Sequence, residues 1–370
     1  MPESGPSTPS GRFGYIDQLR GLAVLLMIQA HVFDAWTRPV ARASAGFRYA
    51  TILGGFAAPF FLWLAGVGIA LSADGVLRRT GNCASAVDLA CRRGLQIFIL
   101  AFLFRLQAFV LSPGSHPITL FRVDILNVMG LAMVAAGVTW GLAQSASAKA
   151  TFCGLVAAAI AMLTPVVRTA DLVDHLPVWV AWYIRPAGEY TTLTTFPWAG
   201  FVFAGTACGV LVAAARTVQR RLLIILGFTG LGLFGLGMYT ASLPTIYRQS
   251  SFWTSSPTYF AVRAGVLLMA FPGMYVLSLL PAFRTLVRPL ERFGRGSLFI
   301  YWIHVELVYG YASWALHRRL PLWGTLVAFL AFSALMYGAV VLRDRFVGLR
   351  RARTWRPPEL PGRTLKLKNG

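Results

Sequence analysis

Ten long apolar stretches divide the chain, and each is long enough to cross a lipid bilayer as a helix. Lipid offers no hydrogen-bond partners to the backbone, so spanning segments must be helices or a closed barrel. The alternating ten-residue strands of a barrel are absent from the sequence. The sequence therefore predicts an all-α polytopic bundle with about ten transmembrane helices. The predicted spans cover residues 18–37, 50–73, 94–112, 124–143, 149–167, 195–215, 221–243, 261–281, 297–316 and 321–342.

The charges support a membrane protein and predict its orientation. Only 13% of residues are charged, about half the share of soluble domains, and the formal net charge is +21. The basic residues cluster in alternate short loops and in the tail "RDRFVGLRRARTWRP", which is typical of cytoplasmic segments of membrane proteins. We therefore expect both termini in the cytoplasm, a location in the inner (cytoplasmic) membrane, the lipid bilayer as a partner and no nucleic-acid binding.

The domain prediction has three parts. Residues 1–14 are rich in Pro and Ser and predict a disordered tail, residues 15–345 a membrane domain, and residues 346–370 a basic cytoplasmic tail. The four cysteines have no C-x-x-C spacing, so the sequence indicates neither a metal site nor a disulfide framework. Nothing in the sequence predicts the oligomeric state.

The first span carries an unusual polar stripe. Residues 17, 20, 24, 27, 31 and 34 share one helix face, and Asp17, Arg20, His31 and Asp34 all lie on it. A charge at mid-bilayer costs at least about 2.5–3.5 kcal/mol, so this stripe must face the interior of the bundle or a wet cavity. Taken singly, an interior histidine or a first-turn arginine is more often structural, but their shared face favours function.

The spacing along this stripe indicates a chemistry. Arg20 and His31 are eleven residues apart, roughly 16 Å along a helix, at nearly the same angular position. Arginine suits phosphate, and histidine suits proton transfer near neutral pH. Asp34, one turn after His31, is expected to orient its ring. We therefore predict His31 and Asp34 as catalytic residues and Arg20 as an anion-binding residue.

Four segments resemble a known group of membrane enzymes. The R-x10-H pattern of the first span resembles the signature of acyltransferase-3 enzymes, and "YIDQLRGLAVLLMIQAH" resembles bacterial relatives of heparan-α-glucosaminide N-acetyltransferase. "APFFLWLAGVGIALS" and "FRVDILNVMGL" are similar to two further segments of that family, and "GRGSLFIYWIHVEL" resembles a helix of the wider acyltransferase-3 group. The four motifs occur in the family's order within the first 310 residues.

The resemblance implies acyl transfer across a membrane. The donor is expected to be acetyl-CoA or another acyl-CoA from the cytoplasm, and the acceptor a sugar hydroxyl or amine on the other side. Arg20 would lie at the CoA phosphates and His31 at the thioester. The sequence departs from the lysosomal enzyme, which has Asn where this chain has His31 and a later histidine in an H-x-x-W-N-G loop. That loop is missing here, so the amino-sugar acceptor is not carried over.

Further polar residues extend the predicted site. His304 and Arg105 are candidates for donor binding. His304 could instead bind the acceptor or assist proton transfer, and an interior histidine bonded to a neighbouring helix fits the sequence equally well. For Arg105, a buried pair with Glu306 is equally compatible with the sequence. Acceptor binding is expected from residues at the predicted outer surface, where carboxylates and aromatic rings suit sugars: Arg122, Asp124, Glu189 and Tyr190.

Two other functions fit the same sequence. Ten spans with an interior His–Asp pair also suit a proton-coupled small-molecule transporter. A non-catalytic membrane partner in an envelope assembly is the second alternative, and it requires no chemistry at His31.

Overall fold

The computed structural model describes residues 13–111, 116–191 and 193–354, with side chains through Val347. Both predicted tails lie mostly outside these residues. Fourteen α-helices are present in the described part: α1 Gly14–Trp36, α2 Pro39–Arg42, α3 Ala45–Gly54, α4 Ala57–Thr80, α5 Cys83–Leu111, α6 Ile125–Gly141, α7 Ala146–Thr169, α8 Val178–Ile184, α9 Thr195–Ala214, α10 Gln219–Ala241, α11 Pro257–Leu279, α12 Pro281–Arg295, α13 Ser297–Tyr309 and α14 Leu322–Thr354.

The helices confirm the prediction of an all-α membrane bundle. Within the described residues, eight helical segments are long and apolar enough to cross a membrane, with α3 and α4 counted as one, and α6 and α13 are shorter apolar helices. Each of the ten predicted stretches falls on one of these segments. The β-structure in the same ranges is limited to isolated bridges, one of which joins Thr37 to Leu320 and another Val123 to Thr191.

Helix α1 lies at the centre of the bundle. It is mostly buried and contacts α3, α4, α11, α12, α13 and α14. Helix α5 instead exposes most of its length, with an apolar stripe made by Leu95, Ile99, Leu103 and Leu106. Residues three and four apart share a helix face, so this stripe is the surface that α5 presents to lipid. The central position of α1 explains how a helix with four ionisable groups is shielded from lipid.

Helices α4 and α9 cross at close range because both carry glycine at the crossing point. A Cβ on Gly66 would overlap the carbonyl oxygen of Val202, and a Cβ on Gly205 would overlap that of Trp63. Small residues allow such close backbone approach between membrane helices. This crossing fixes α4, which forms one wall of the interior cavity.

The near end of the bundle is the end at which α1 begins, at Gly14, and the far end is the one at which α1 ends, at Trp36. Helix α12 lies at the near end and packs against the first turns of α1, where Gln18 Nε2 donates to Glu291 Oε1 at 3.0 Å. Helix α14 continues to Thr354, across the predicted domain boundary at residue 345.

Candidate active site

A single cavity of about 930 Å³ follows the polar stripe of α1. From that stripe, Arg20, Met27, His31 and Asp34 line it, while Val24 is completely buried. This volume lies within the range of small-molecule and cofactor sites. The stripe therefore faces an interior space, as its spacing predicts. Other helices add further polar side chains to the lining: Arg105, Arg122, Asp124, Arg263, Ser297, Tyr301, Glu306 and Tyr309.

His31 pairs with His304 across the interface between α1 and α13. The distance from His31 Nδ1 to His304 Nε2 is 2.8 Å, and the ring planes lie 9° apart. His304 is completely buried, and its Nδ1 lies 2.9 Å from the carbonyl oxygen of Ile300 and 3.0 Å from that of Tyr301. His31 thus contacts a second imidazole on one side and the cavity on the other.

These contacts assign the protons of the pair when both rings are neutral. A carbonyl oxygen only accepts hydrogen bonds, so Nδ1 of His304 must carry its proton, which leaves Nε2 as an acceptor. His31 must then donate from Nδ1 to His304. The remaining nitrogen of His31, Nε2, therefore keeps its lone pair and can accept a proton from a molecule in the cavity.

Asp34 forms no hydrogen bond or ion pair with His31, which differs from the prediction that it orients the ring. Its Oδ2 accepts from the Tyr309 hydroxyl at 2.9 Å, and its Oδ1 lies 3.7 Å from Arg42 Nη1. Its side chain is 62% exposed, so Asp34 lies at the wet far end of the cavity. One helical turn brings the two residues to the same face, but His304 occupies the position beside Nδ1. The partner at His31 Nδ1 is thus His304, which matches the sequence alternative of an interior histidine bonded to a neighbouring helix.

Arg20 lies near the other end of the cavity. Its Nη1 donates to Asp17 Oδ1 at 2.8 Å, and its guanidinium lies beside Gly68 of α4. A Cβ at Gly68 would come within 3.6 Å of Arg20 Nη2. Arg20 and His31 therefore line the same cavity at different depths, as predicted.

Arg105 pairs with Asp124 rather than with Glu306, which resolves the alternative that the sequence left open for Arg105 and Glu306. Arg105 Nη2 lies 2.5 Å from Asp124 Oδ2. Asp124 also caps α6: its Oδ1 accepts from the Leu126 amide, and Asn127 accepts from the Asp124 amide. The Glu306 carboxylate lines the cavity and feels the charge of Arg105, but it forms no side-chain hydrogen bond or close ion pair with the described residues.

The remaining predicted acceptor residues lie near the far end. Arg122 lines the cavity, and burial lowers the pKa of its guanidinium, as does the positive charge of Arg105. Glu189 and Tyr190 are exposed and do not line the cavity. Tyr190 stacks on Trp182 with a centroid distance of 4.9 Å. Of the four predicted acceptor residues, Arg122 and Asp124 therefore line the cavity, whereas Glu189 and Tyr190 lie outside it.

Tyr309 and Arg263 also line the cavity but are not among the site residues predicted from the sequence. The Tyr309 hydroxyl donates to Asp34, and the Tyr309 ring meets the His31 ring edge-on with a centroid distance of 5.7 Å. Arg263 lies on α11 and lines the cavity. A signal existed for Arg263, because an arginine inside an apolar span is unusual by itself. Tyr309 carries no such signal, since tyrosine is common near span ends.

Among the residues that the structure describes, no three or more His, Cys, Asp or Glu side chains are grouped around a position for a metal ion.

No curated protein matches the chain. The family model described as heparan-alpha-glucosaminide N-acetyltransferase, catalytic, matches residues 12–244, well over half of the sequence. The match includes Arg20, His31, Arg105 and Asp124 and ends before Arg263 and His304. The chain therefore belongs to the heparan-alpha-glucosaminide N-acetyltransferase family and is a multi-pass membrane protein of the acetyltransferase class.

Proposed function

We propose that the protein transfers an acyl group, most simply acetyl, from cytoplasmic acyl-CoA to a sugar hydroxyl or amine that enters from the opposite side of the membrane. The observation that carries this proposal is the shared cavity of Arg20 and His31. The cavity contains the Arg20 guanidinium toward the near end of the bundle. It contains the His31 imidazole, with a free lone pair on Nε2, toward the far end. In the proposed orientation, the near end and both termini face the cytoplasm.

Arg20 is proposed to bind a phosphate of the donor. Guanidinium groups bind phosphate through parallel hydrogen bonds, and Asp17 holds this guanidinium in place at 2.8 Å. The acyl-bearing arm of the donor then extends along the cavity toward His31. Fixing the thioester beside the base makes the reaction effectively intramolecular, which can contribute about 7–11 kcal/mol to lowering the barrier.

His31 Nε2 is proposed to be the general base. It takes the proton from the acceptor hydroxyl or amine as that oxygen or nitrogen attacks the thioester carbonyl. The carbon–sulfur bond then breaks, and the departing CoA sulfur receives the proton back from the imidazolium. His304 accepts a hydrogen bond from His31 Nδ1 throughout, which holds the ring and stabilises its charged form.

The far end of the cavity is proposed to bind the acceptor. Glu306 offers a carboxylate to a hydroxyl or amine, and Arg122 lies in the same lining. Arg105 and Asp124 neutralise each other in an ion pair, so we propose that they shape the cavity lining rather than bind a charged group of the acceptor. Glu189 and Tyr190 are proposed to contact a larger acceptor outside the cavity.

A covalent variant uses the same geometry. In it, His31 Nε2 attacks the thioester and carries the acyl group until the acceptor arrives. Rapid quenching with radiolabelled acetyl-CoA and no acceptor separates the two routes. A labelled enzyme adduct supports the covalent route, and its absence supports direct attack.

The decisive test incubates the purified protein with radiolabelled acetyl-CoA and an envelope extract, followed by mass spectrometry of labelled products. We expect a labelled acceptor with the wild type and at least a 100-fold slower reaction with His31→Gln, because a positioned base contributes about 10²–10⁴-fold. His317→Gln, a histidine outside the cavity lining, is the control. Solute uptake into proteoliposomes without acetyl-CoA consumption would instead establish the transporter alternative.

A further inference from the structure

Arg263 is a buried cation without an opposing carboxylate. It is 9% exposed, lines the cavity from α11, and its Nε has no hydrogen-bond partner. Among the residues that the structure describes, no Asp or Glu lies within 4 Å of its guanidinium. Buried charges are normally paired, because an isolated ion loses its hydration. Arg105, in the same cavity, follows this rule through Asp124, and Arg263 does not.

Two aromatic rings hold the Arg263 guanidinium. Its Cζ lies 4.0 Å from the centre of the Tyr259 ring and 5.2 Å from that of Trp198. Such cation–π contacts fix the position of a guanidinium but leave its charge unneutralised and most of its N–H donors available. The side chain is therefore held in place with capacity for an anion.

The position of Arg263 indicates which molecule supplies that anion. Its Nη2 lies 3.8 Å from where a Cβ on Gly55 would be. The neighbouring Gly54 packs against Gln29 and Ala30, the residues just before His31. Arg263 thus lies at the level of His31, whereas Arg20 lies eleven residues nearer the start of α1. An anion at Arg263 is beside the reacting group and away from the proposed phosphate position.

We propose that Arg263 binds a negatively charged group of the acceptor, so that the acceptor is an acidic sugar carrying a carboxylate or a phosphate. This inference rests on the proposed function, because it assigns the substrate class of the same cavity. A planar guanidinium binds either group through two parallel hydrogen bonds. The negative charge of a bound acceptor would neutralise the buried Arg263 guanidinium. A neutral sugar would leave that guanidinium without a counter-charge, so the site would favour acidic acceptors.

The test measures sugar binding to the full chain in lipid nanodiscs. Trp198 lies beside the guanidinium, so its fluorescence should report occupancy. Glucuronate and glucose 6-phosphate are compared with neutral glucose at constant ionic strength, which separates carboxylate from phosphate. We expect one or both acidic sugars to bind at least ten-fold more tightly than glucose. Arg263→Gln should remove this preference and Arg263→Lys should retain part of it. Arg248→Gln, an exposed arginine in the loop before α11, is the control.

Several results would overturn the inference. These are equal binding of acidic and neutral sugars to the wild type, an unchanged preference in Arg263→Gln, or weaker acetyl-CoA binding in that variant. The last result would assign the anion to the donor. A cooperative thermal unfolding transition shows that each variant is folded. If Arg263→Gln does not fold, a reduced preference for acidic sugars in Arg263→Lys tests the inference instead. Normal acidic-sugar binding with no acetyl transfer would contradict the proposed reaction and leave the anion site standing.

Discussion

His304 does not line the cavity, so any effect it has on transfer must act through His31. Replacing it with phenylalanine keeps a ring in the buried position but removes the acceptor for His31 Nδ1. We expect kcat to fall about 10–100-fold, part of the contribution of a positioned base, with the KM for acetyl-CoA unchanged. The pH profile of kcat should also shift, because the tautomer of His31 is no longer held.

Steady-state kinetics of His304→Phe and of His317→Phe provide this comparison. His317 bonds to Ser313 and the Val308 carbonyl and lies outside the cavity lining, so its variant should retain wild-type kinetics. A raised KM for acetyl-CoA with unchanged kcat in His304→Phe would return His304 to the donor-binding role predicted from the sequence.

Arg20 permits a separate prediction about the donor. Arg20→Ala should raise the KM for acetyl-CoA at least ten-fold, since a charge-assisted hydrogen bond contributes about 1.5–3 kcal/mol. The loss should vanish with acetyl-pantetheine, which lacks the nucleotide and its phosphates. Arg92→Ala removes an exposed arginine that bonds to Asp88 and serves as the control. An equal loss with both donors would show that Arg20 acts on structure rather than on phosphate.

Some features of the site residues could be predicted from the sequence, and others could not. The shared face of Arg20 and His31 follows from helical periodicity, which is a local property. The partner of each group does not follow, because His304 and Tyr309 reach α1 through tertiary packing across more than 270 residues. For the same reason, the sequence did not reveal that Asp34 bonds to Tyr309 or that Arg105 pairs with Asp124.

At the scale of the helices, the α4–α9 crossing depends on glycine. Gly205→Val would force the α9 backbone away from Trp63, and overpacking of this kind costs typically 1–3 kcal/mol. We expect a lower midpoint of thermal unfolding and a loss of transfer, because α4 lines the cavity. Gly232→Val on α10 is the matched control, since nothing lies within 4 Å of a Cβ there. Equal unfolding midpoints for the two variants would contradict the close crossing.

Helix boundaries were predictable where apolar runs end at charges, as for α7 and α10. Shorter and mixed elements were not. Helix α13 ends at Tyr309, and the rest of its predicted span forms a 3₁₀ turn over Tyr311–Leu316. Helix α12 is an exception, because its four arginines recur every three or four residues on a face away from Val287 and Phe293, which pack into the core. This amphipathic pattern indicates a helix, although the segment is too polar to be predicted as a span.

At the scale of the whole molecule, the proposed direction of transfer requires a fixed orientation. A green fluorescent protein fused to the C-terminus should fluoresce in bacterial cells, while an alkaline phosphatase fused there should be inactive. A fusion of each reporter after Ser250, between α10 and α11, should give the reverse pattern. The basis is the concentration of arginines on α12 and in the C-terminal segment, which favours the cytoplasmic side. Active phosphatase at the C-terminus would invert the proposed direction.

We infer that one cavity leads a thioester donor from Arg20 to His31. A structure of the full chain in lipid, bound to a non-hydrolysable acetyl-CoA analogue, tests this inference most directly. We expect a donor phosphate at Arg20 and the acyl carbonyl carbon beside His31, with space left for the attacking atom of the acceptor about 3–3.5 Å from that carbon. An analogue bound outside the cavity, or with its acyl group separated from His31 by packed side chains, would contradict it.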